Sequence, residues 1–182
     1  LRRVHGGAVS VEPVTVSREV LDELDRRLLV FYTGGRRATS EILSDQGRRV
    51  AGDEDKFNAT APMVDRVYEM RDALFARDLH AFGELLHRKW LLKRSLSDQI
   101  SNASVDEAYA RAREAGAGGG KLLGAGGSGF LLLYGERQNQ GRVRQALSDL
   151  HELDFHIAMC GISIIYTDGY ELNNSGGFFN AF

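Results

Sequence analysis

The sequence has 182 residues, of which 43% are hydrophobic and 26% are charged, and its formal net charge is −2. These values are ordinary for a globular protein, and they exclude a general electrostatic attraction to nucleic acid or to a membrane surface. The single cysteine, Cys160, excludes an intrachain disulfide and favours a cytoplasmic protein.

The first part of the chain predicts two strands that flank a short helix. Residues 8–16 alternate between apolar and polar side chains, as a half-buried strand does, although Pro13 favours an edge position or a bulge. Ser17 is placed to cap a helix whose apolar residues are Val20, Leu21 and Leu24. The continuous apolar run over residues 28–33 is typical of a central strand.

Beyond Gly34 and Gly35, the sequence predicts a helix through Ile42 and Leu43, followed by a mobile loop. The loop is expected over residues 45–62, where polar residues interrupt the apolar pattern.

Three helices are predicted next, each with an apolar stripe at helical spacing. The first two stripes are Val64, Val67, Met70, Leu74 and Phe75, and then Leu79, Phe82, Leu86 and Trp90. Trp90 continues its stripe and is therefore predicted to be a core residue rather than a stacking platform. The third helix is predicted to begin at the capping-box spacing of residues 104–107 and to end at Gly116. Its buried face is Val105, Ala108, Tyr109 and Ala112.

The last part of the chain predicts a strand over residues 130–134 and then a helix with four apolar residues: Val143, Ala146, Leu147 and Leu150. Residues 153–159 and 162–166 read as a closing hairpin, and residues 169–182 as an irregular tail. Intermixed strands and helices with an antiparallel pair at the end indicate an α+β fold.

Glycines are concentrated between residues 116 and 129, where eight of the fourteen positions are glycine. Residues 124–129 match G-x-G-x-x-G, but the apolar run that follows them predicts a strand rather than the helix which that dinucleotide-binding fingerprint requires. A Walker A loop is also excluded, because Ala115 and Leu122 stand where it needs a glycine and a hydroxyl residue.

Two interpretations of this glycine stretch are open. One or two glycines would suffice to end a helix and enter a strand. Eight glycines carry a larger entropic cost, and successive free amides suit an anion such as phosphate. We therefore expect residues 116–129 to form a ligand-facing loop.

Residues 119–130, Gly-Gly-Lys-Leu-Leu-Gly-Ala-Gly-Gly-Ser-Gly-Phe, strongly resemble the C-terminal glycine motif of the GHMP kinases, which include galactokinase and the homoserine, mevalonate and phosphomevalonate kinases. Further matching stretches follow the same order along the chain, at residues 28–34, 86–97, 153–155 and 161–166. Within the family the sequence looks most like the sugar kinases that act on D-glycero-D-manno-heptose 7-phosphate.

The resemblance implies a domain over residues 1–168, with a ferredoxin-like antiparallel sheet, helices on one face and inserted helices. It also implies an N-terminal domain that would hold the main nucleotide loop and the catalytic aspartate. Neither motif occurs in the 182 residues, so we expect a fragment that has little or no kinase activity alone, and we assign no catalytic residue. The uncovered seam between the two domains would favour self-association as a homodimer.

By resemblance, the glycine loop lies against the nucleotide phosphates. The nucleotide-binding candidates are Gly124, Ala125, Gly126, Gly127, Ser128 and Gly129. The family commonly has glycine where Ser128 stands, so a serine would be strained there if its backbone needed a left-handed conformation.

Four basic residues are candidates for contact with a sugar phosphate, since ammonium and guanidinium groups both suit phosphate oxygens. They are Arg37, Lys93, Arg94 and Lys121. Simpler roles are open for three of them. Lys121 could be solvated on the loop flank, and Lys93 and Arg94 could complement the negative end of a helix dipole.

The histidines predict no metal site. His87 is expected to be an exposed helix residue, and His151 and His156 lack a second ligand at metal-binding spacing.

The sequence thus predicts the C-terminal part of a kinase that transfers the γ-phosphoryl group of MgATP to a sugar or sugar phosphate. The expected acceptor is the anomeric hydroxyl of heptose 7-phosphate, and ATP and Mg²⁺ are the expected cofactors. The alternative is a non-catalytic phosphate- or nucleotide-binding or regulatory module of the same fold.

Overall fold

The structure is a computed structural model that describes residues 2–5, 8–34, 61–124 and 126–157. These residues form six strands and five helices. The strands are β1 (Arg2–His5), β2 (Ala8–Val11), β3 (Leu28–Tyr32), β4 (Ala117–Leu122), β5 (Phe130–Gly135) and β6 (His151–Leu153). The helices are α1 (Arg18–Asp25), α2 (Ala61–Phe75), α3 (Leu79–Ser95), α4 (Ala103–Glu114) and α5 (Arg137–Ala146).

Four of the strands form an antiparallel sheet in the order β4-β5-β3-β6. Three of the described helices lie between β3 and β4 in the chain, a tight connection joins β4 to β5, and α5 leads from β5 to β6. This is the ferredoxin-like arrangement of two interleaved βαβ units. The predicted α+β fold with an antiparallel sheet is therefore confirmed.

The centre of the sheet is the paired strands β3 and β5, in which Leu29 lies opposite Leu133 and Phe31 opposite Leu131. Leu29, Val30 and Phe31 are consecutive residues and all are buried. Burial on both faces explains why this strand reads as a continuous apolar run, and it confirms the predicted central strand.

The strand predicted over residues 8–16 is shorter than expected. Only Ala8–Val11 is a strand, and it pairs with β1 in a separate two-stranded sheet. Ser17 is at the N-cap of α1 as predicted, but its side chain makes no capping hydrogen bond.

The predicted apolar stripes mostly face the core. Leu79, Leu86 and Trp90 of α3 are buried, and so is the whole predicted face of α4. Phe75 is an exception. It lies at the last residue of α2, is 53% exposed, and leaves Ala73 as the buried residue of that turn.

The N-terminus of α4 differs from the prediction. Asn102 is the cap, with an extended backbone and a side-chain oxygen that accepts a hydrogen bond from the Val105 amide at 3.0 Å. Ser104 lies inside the first turn, so the capping-box interpretation of residues 104–107 was wrong. A serine and an asparagine two residues apart are equally good cap residues, and sequence alone does not decide between them.

The ligand-facing loop predicted over residues 116–129 is wrong for its first half. Residues 117–122 are strand β4, and helix α3 packs directly across it. A Cβ atom at Gly119 would overlap the Gly83 carbonyl oxygen of α3 and lie 2.8 Å from the His87 amide nitrogen. A Cβ at Gly83 would in turn overlap the Tyr134 ring. These glycines are required by close contact between a helix and a strand.

His87 is half-buried rather than exposed as predicted. Its Nδ1 shares a 2.7 Å hydrogen bond with the Tyr109 hydroxyl, and the two rings stack with centroids 5.8 Å apart. Burial lowers the pKa of His87 below its usual 6.5, and the nearby Arg113 charge adds to the effect. Burial also raises the pKa of Tyr109 to about 12.

Strand β6 is His151–Leu153, and residues 154–157 are not a strand, so the first arm of the predicted closing hairpin is displaced. Four other predicted features lie outside the described residues. They are the rest of that hairpin, the helix through Ile42 and Leu43, the domain boundary at residue 168 and the tail over residues 169–182. The predicted loop over residues 45–62 also lies outside them, except that α2 already begins at Ala61. Within the described part of the chain, no helix is both long and apolar enough to span a membrane.

The glycine contact between α3 and β4 predicts opposite effects for two glycine-to-alanine substitutions. Gly119→Ala should lower the free energy of unfolding by about 1–3 kcal/mol, because the new methyl group meets backbone atoms that cannot move aside. Gly141→Ala should raise it by about 0.5–1 kcal/mol, because Gly141 lies in α5 and no described residue has an atom within 4 Å of the place its methyl group would take. Urea denaturation of both variants measures the difference. Equal effects would contradict the close contact.

His87 predicts a pH dependence of stability. Its lowered pKa means that the unfolded chain binds more protons below about pH 6.5, so the free energy of unfolding should fall as the pH drops through that region. Replacing His87 with glutamine should remove this component. His156→Gln is the control with opposite sign. Asp25 raises the pKa of His156, which therefore stabilises the fold below pH 6.5 and loses that effect as the pH rises through its folded pKa. Urea titrations at pH 7.5 and 5.5 measure how the free energy of unfolding changes with pH. If both variants altered this pH dependence in the same direction, the opposite roles of His87 and His156 would be contradicted.

Candidate functional site

The candidate site is built around residues 124–129, which join β4 to β5 and are called the glycine turn here. Four of its glycines have left-handed backbones, with φ of 74° at Gly124, 118° at Gly126, 80° at Gly127 and 119° at Gly129. Only glycine adopts this conformation without strain. Ala125 lies outside the described residues.

Three carbonyl groups of the glycine turn are held by hydrogen bonds from other elements. The Lys93 ammonium on α3 donates to the Gly124 carbonyl at 2.9 Å. Asn102, the cap of α4, donates from its side-chain nitrogen to the Gly127 carbonyl at 2.5 Å. Thr33, just after β3, donates to the Gly129 carbonyl from both its amide and its hydroxyl, at 2.8 and 3.0 Å.

The amides of the glycine turn divide into two groups. The Gly127 amide donates to the Ile100 carbonyl at 2.9 Å, and the Gly129 amide donates to the Thr33 hydroxyl at 3.1 Å. Within the described residues, the amides of Gly124, Gly126 and Ser128 have no hydrogen-bond acceptor. A turn with three carbonyls tied to the protein, and with alternate amides that find no acceptor among the described residues, is a concave set of donors suited to an anion.

Packing fixes one side of the turn and leaves the other side open. A Cβ at Gly126 would lie 2.5 Å from the Ile100 carbonyl oxygen and 3.0 Å from its Cα. At Gly124 and Gly129, by contrast, no atom of the described residues lies within 4 Å of such a Cβ. The turn therefore sits on the segment before α4 and faces open space elsewhere, which gives a ligand room to approach.

Ser128 does not carry the strain expected for a serine in a left-handed position. Among the described residues, Arg77 is the one non-glycine residue with positive φ. The serine is accommodated because the four neighbouring glycines provide the left-handed positions of the turn.

The structure brings two of the predicted basic residues together and adds a third. Lys93 and Lys121 line one small cavity with Lys89, Leu86 and Trp90. We call Lys89, Lys93 and Lys121 the lysine cluster. Burial lowers the pKa of both Lys89 and Lys93, and the charge of Lys121 lowers each of them further. The Lys121 ammonium is therefore close enough to repel those of Lys89 and Lys93.

The other two predicted basic residues do not join this cluster. The Arg94 guanidinium donates to the Asp106 carboxylate of α4 at 2.6 Å, which ties the end of α3 to the start of α4. Arg37 lies outside the described residues. The described part of the chain contains no group of three His, Cys, Asp or Glu side chains placed to hold a metal ion.

Sequence reasoning missed three residues that shape the site. Lys89 is four residues before Lys93, and this spacing places both on one face of a helix, so it could have been found. Thr33 donates a hydrogen bond to Gly129, 96 residues away in the sequence, and Asn102 donates one to Gly127, 25 residues away. No local pattern marks such contacts.

Comparison with known proteins gives a family for this architecture. Residues 70–154 match the family model for the C-terminal domain of the GHMP kinases. The match confirms the resemblance drawn from the glycine motif.

Two curated relatives are similar to the chain. It is 27% identical over 139 residues to the D-glycero-alpha-D-manno-heptose 7-phosphate kinase of Campylobacter jejuni, covering 76% of this chain and 41% of that protein. It is 29% identical over 161 residues to the bifunctional fucokinase/GDP-fucose pyrophosphorylase of Arabidopsis thaliana, covering 86% of this chain and 15% of that protein. The chain thus spans less than half the length of either relative.

Among solved structures, the mevalonate kinase of L. major in complex with R-mevalonate superimposes with a TM-score of 0.65 at 21% identity. The superposition covers 81% of this chain and 44% of that kinase. At this identity the likeness establishes the fold of the domain, which agrees with the ferredoxin-like sheet described above.

Asn102 allows the anchoring of the glycine turn to be separated from the capping of α4. Asn102→Ala should lower the free energy of unfolding by about 1–2 kcal/mol, because it removes the cap. Asn102→Asp should leave stability close to that of the wild type, because a carboxylate caps equally well. Both variants lose the donor to the Gly127 carbonyl, so both should show faster amide hydrogen exchange at Gly127. Unchanged exchange in both would contradict a role for Asn102 in ordering the turn.

Proposed function

We propose that this chain is the C-terminal part of an ATP-dependent sugar kinase, in which the glycine turn binds phosphate groups of the nucleotide. The observation that carries the proposal is the set of amides at Gly124, Gly126 and Ser128, which have no acceptor in the described part of the chain. Phosphate oxygens would supply the missing acceptors. The proposed nucleotide-binding segment also includes Ala125, Gly127 and Gly129. The Gly127 and Gly129 amides orient the segment by hydrogen bonds to Ile100 and Thr33, respectively.

When bound, MgATP would supply the γ-phosphoryl group for transfer. The chain's own contribution is to hold phosphate oxygens with fixed N–H donors, and such preorganised donors are a large part of phosphoryl-transfer catalysis. The described residues offer no carboxylate cluster for Mg²⁺. We therefore assign neither the metal ligands nor the catalytic base to this part of the chain, and we expect it to be weakly active or inactive alone.

We further propose that the acceptor is a sugar phosphate, with the anomeric hydroxyl of heptose 7-phosphate as the favoured case. The similarity to the Campylobacter heptose 7-phosphate kinase and the motifs at residues 86–97 and 119–130 support this choice. We propose Lys93 and Lys121 as contacts to the acceptor, and their position beside the glycine turn supports this choice. Arg94 would have to leave Asp106 to take part, and Arg37 is proposed from the sequence alone.

An exposed apolar pair beside the glycine turn supports contact with another protein surface. Tyr32 and Phe130 lie opposite each other on β3 and β5, with ring centroids 5.4 Å apart, and are 39% and 44% exposed. We propose that an N-terminal kinase domain covers this pair, and that the uncovered surface promotes a homodimer in its absence. The proposed setting is the cytoplasm, on the basis of the single cysteine.

A non-catalytic phosphate- or nucleotide-binding module is the second candidate. It is favoured by one observation, namely that the described site contains anion-binding groups but no clustered carboxylates. The coding sequence upstream of Leu1 separates the two. An in-frame half with a serine-rich phosphate loop would support the kinase, and an adjacent start codon would support the module.

The nucleotide proposal is tested by calorimetric titration of this chain with MgATP. We expect a dissociation constant no weaker than about 1 mM, which corresponds to roughly −4 kcal/mol. Gly126→Val should abolish binding, because its side chain would collide with Ile100 and displace the turn. Gly124→Ala is a milder variant, since its methyl group enters open space and only the backbone conformation is strained.

Gly141→Ala serves as the matched control, because it changes a glycine in a helix outside the site. Binding that survives in Gly126→Val, or that falls equally in Gly141→Ala, would show that the glycine turn is not the nucleotide site. If MgATP gave no heat signal at concentrations several times the expected dissociation constant, nucleotide binding by this chain alone would be overturned.

A further inference from the structure

The lysine cluster is an unusual concentration of one residue type. The sequence contains four lysines and nineteen arginines, yet three of the four lysines line the same cavity. Lys89 and Lys93 come from successive turns of α3, and Lys121 comes from β4. The cluster thus depends on the close approach of α3 to β4 that the glycines permit.

The positive charge in this cavity is not balanced by neighbouring side chains. Within the described residues, no carboxylate pairs with any of the three lysines, and Lys93 donates only to the Gly124 carbonyl. Most arginines described nearby are paired, as Arg94 is with Asp106 and Arg113 with Glu84. Like charges held together and partly desolvated are destabilising unless an anion joins them.

A further donor lies in the wall of the cavity. Trp90 is only 1% exposed, and its indole N–H has no acceptor within the described part of the chain. Buried N–H groups usually have a partner, so an unsatisfied one on a residue that lines the same cavity as three lysines points to a missing acceptor. The enclosed volume is about 30 Å³. This admits about two water-sized groups, so oxygens of a ligand fit inside while the rest of it stays outside.

We infer that the lysine cluster, with the Trp90 N–H, binds the phosphate monoester of the acceptor, separately from the nucleotide phosphates at the glycine turn. The ligand class is a phosphorylated sugar, and this choice of ligand rests on the proposed function. A monoester dianion offsets two of the three ammonium charges and offers three terminal oxygens to the three donors. Lys93 connects the two sites, because it also holds the Gly124 carbonyl.

Trp90 is the single tryptophan of the sequence, so its fluorescence reports on this cavity alone. The chain is titrated with inorganic phosphate, with a hexose 6-phosphate and with the unphosphorylated hexose. We expect a saturable change in Trp90 emission with the first two and none with the third. Lys89→Gln should weaken the response to hexose 6-phosphate by about tenfold or more, as expected for loss of one charge-assisted hydrogen bond.

Arg88→Gln is the matched control, because it removes one positive charge from the exposed side of the same helix turn. It should leave the response unchanged. MgATP binding, measured by calorimetry, should be the same in the wild type and in Lys89→Gln. This comparison separates the acceptor phosphate site from the nucleotide site.

A measurement on the wild type covers the case in which a lysine variant does not fold. Limited acetylation with and without hexose 6-phosphate, followed by peptide mass spectrometry, should show protection of Lys89, Lys93 and Lys121. The unphosphorylated hexose should give no protection.

Three results would overturn the inference. The first is a phosphate response that Arg88→Gln weakens as much as Lys89→Gln. The second is equal loss of MgATP and hexose 6-phosphate binding in Lys89→Gln, which would assign the cluster to the nucleotide and leave the proposed function in place. The third is no fluorescence change and no protection in a chain that still binds MgATP, which would again leave the proposed function standing.

Discussion

The contact between helix α3 and strand β4 is the constraint on which the site depends. Gly83 and Gly119 meet where any side chain would overlap the opposing backbone or ring, so the two elements lie closer than side-chain packing allows. This approach sets Lys89 and Lys93 beside Lys121 and brings the Lys93 ammonium to the Gly124 carbonyl. The glycines of β4 thus serve the site indirectly, by positioning a helix, whereas those of the glycine turn contribute their own backbone groups.

Much of the fold could be predicted from sequence because local signals were strong. The apolar run of β3 and the helical stripe that buries Trp90 both identified their elements. The prediction of a ligand-facing loop was wrong for residues 117–122, because a glycine in the sequence does not show whether it permits a tight helix contact or forms a ligand loop. Only the position of Gly83, 36 residues earlier on another element, separates the two cases. Contacts of this kind have no period and no fixed spacing.

The candidate site also combines residues that could be predicted from sequence with contacts that could not. Lys93, Lys121 and the left-handed glycines could be predicted, because charge and backbone freedom are properties of single residues. The hydrogen bonds from Thr33 and Asn102 could not, since they join segments that meet only in the folded chain. The prediction that His87 is exposed was wrong for a related reason. A polar side chain favours a position in solvent, but the hydrogen bond to Tyr109 makes partial burial acceptable.

The scarcity of side chains on β4 has a consequence for how such a site diversifies. Gly119 cannot be varied without moving α3, a Cβ at Gly118 would crowd the Tyr134 ring, and one at Gly120 would overlap the Leu132 carbonyl oxygen. The glycine turn is held by its backbone conformation. Changes in ligand preference would therefore have to accumulate on the facing surface of α3, where side chains can be exchanged one at a time. That helix is where a library of variants aimed at new acceptors should be concentrated.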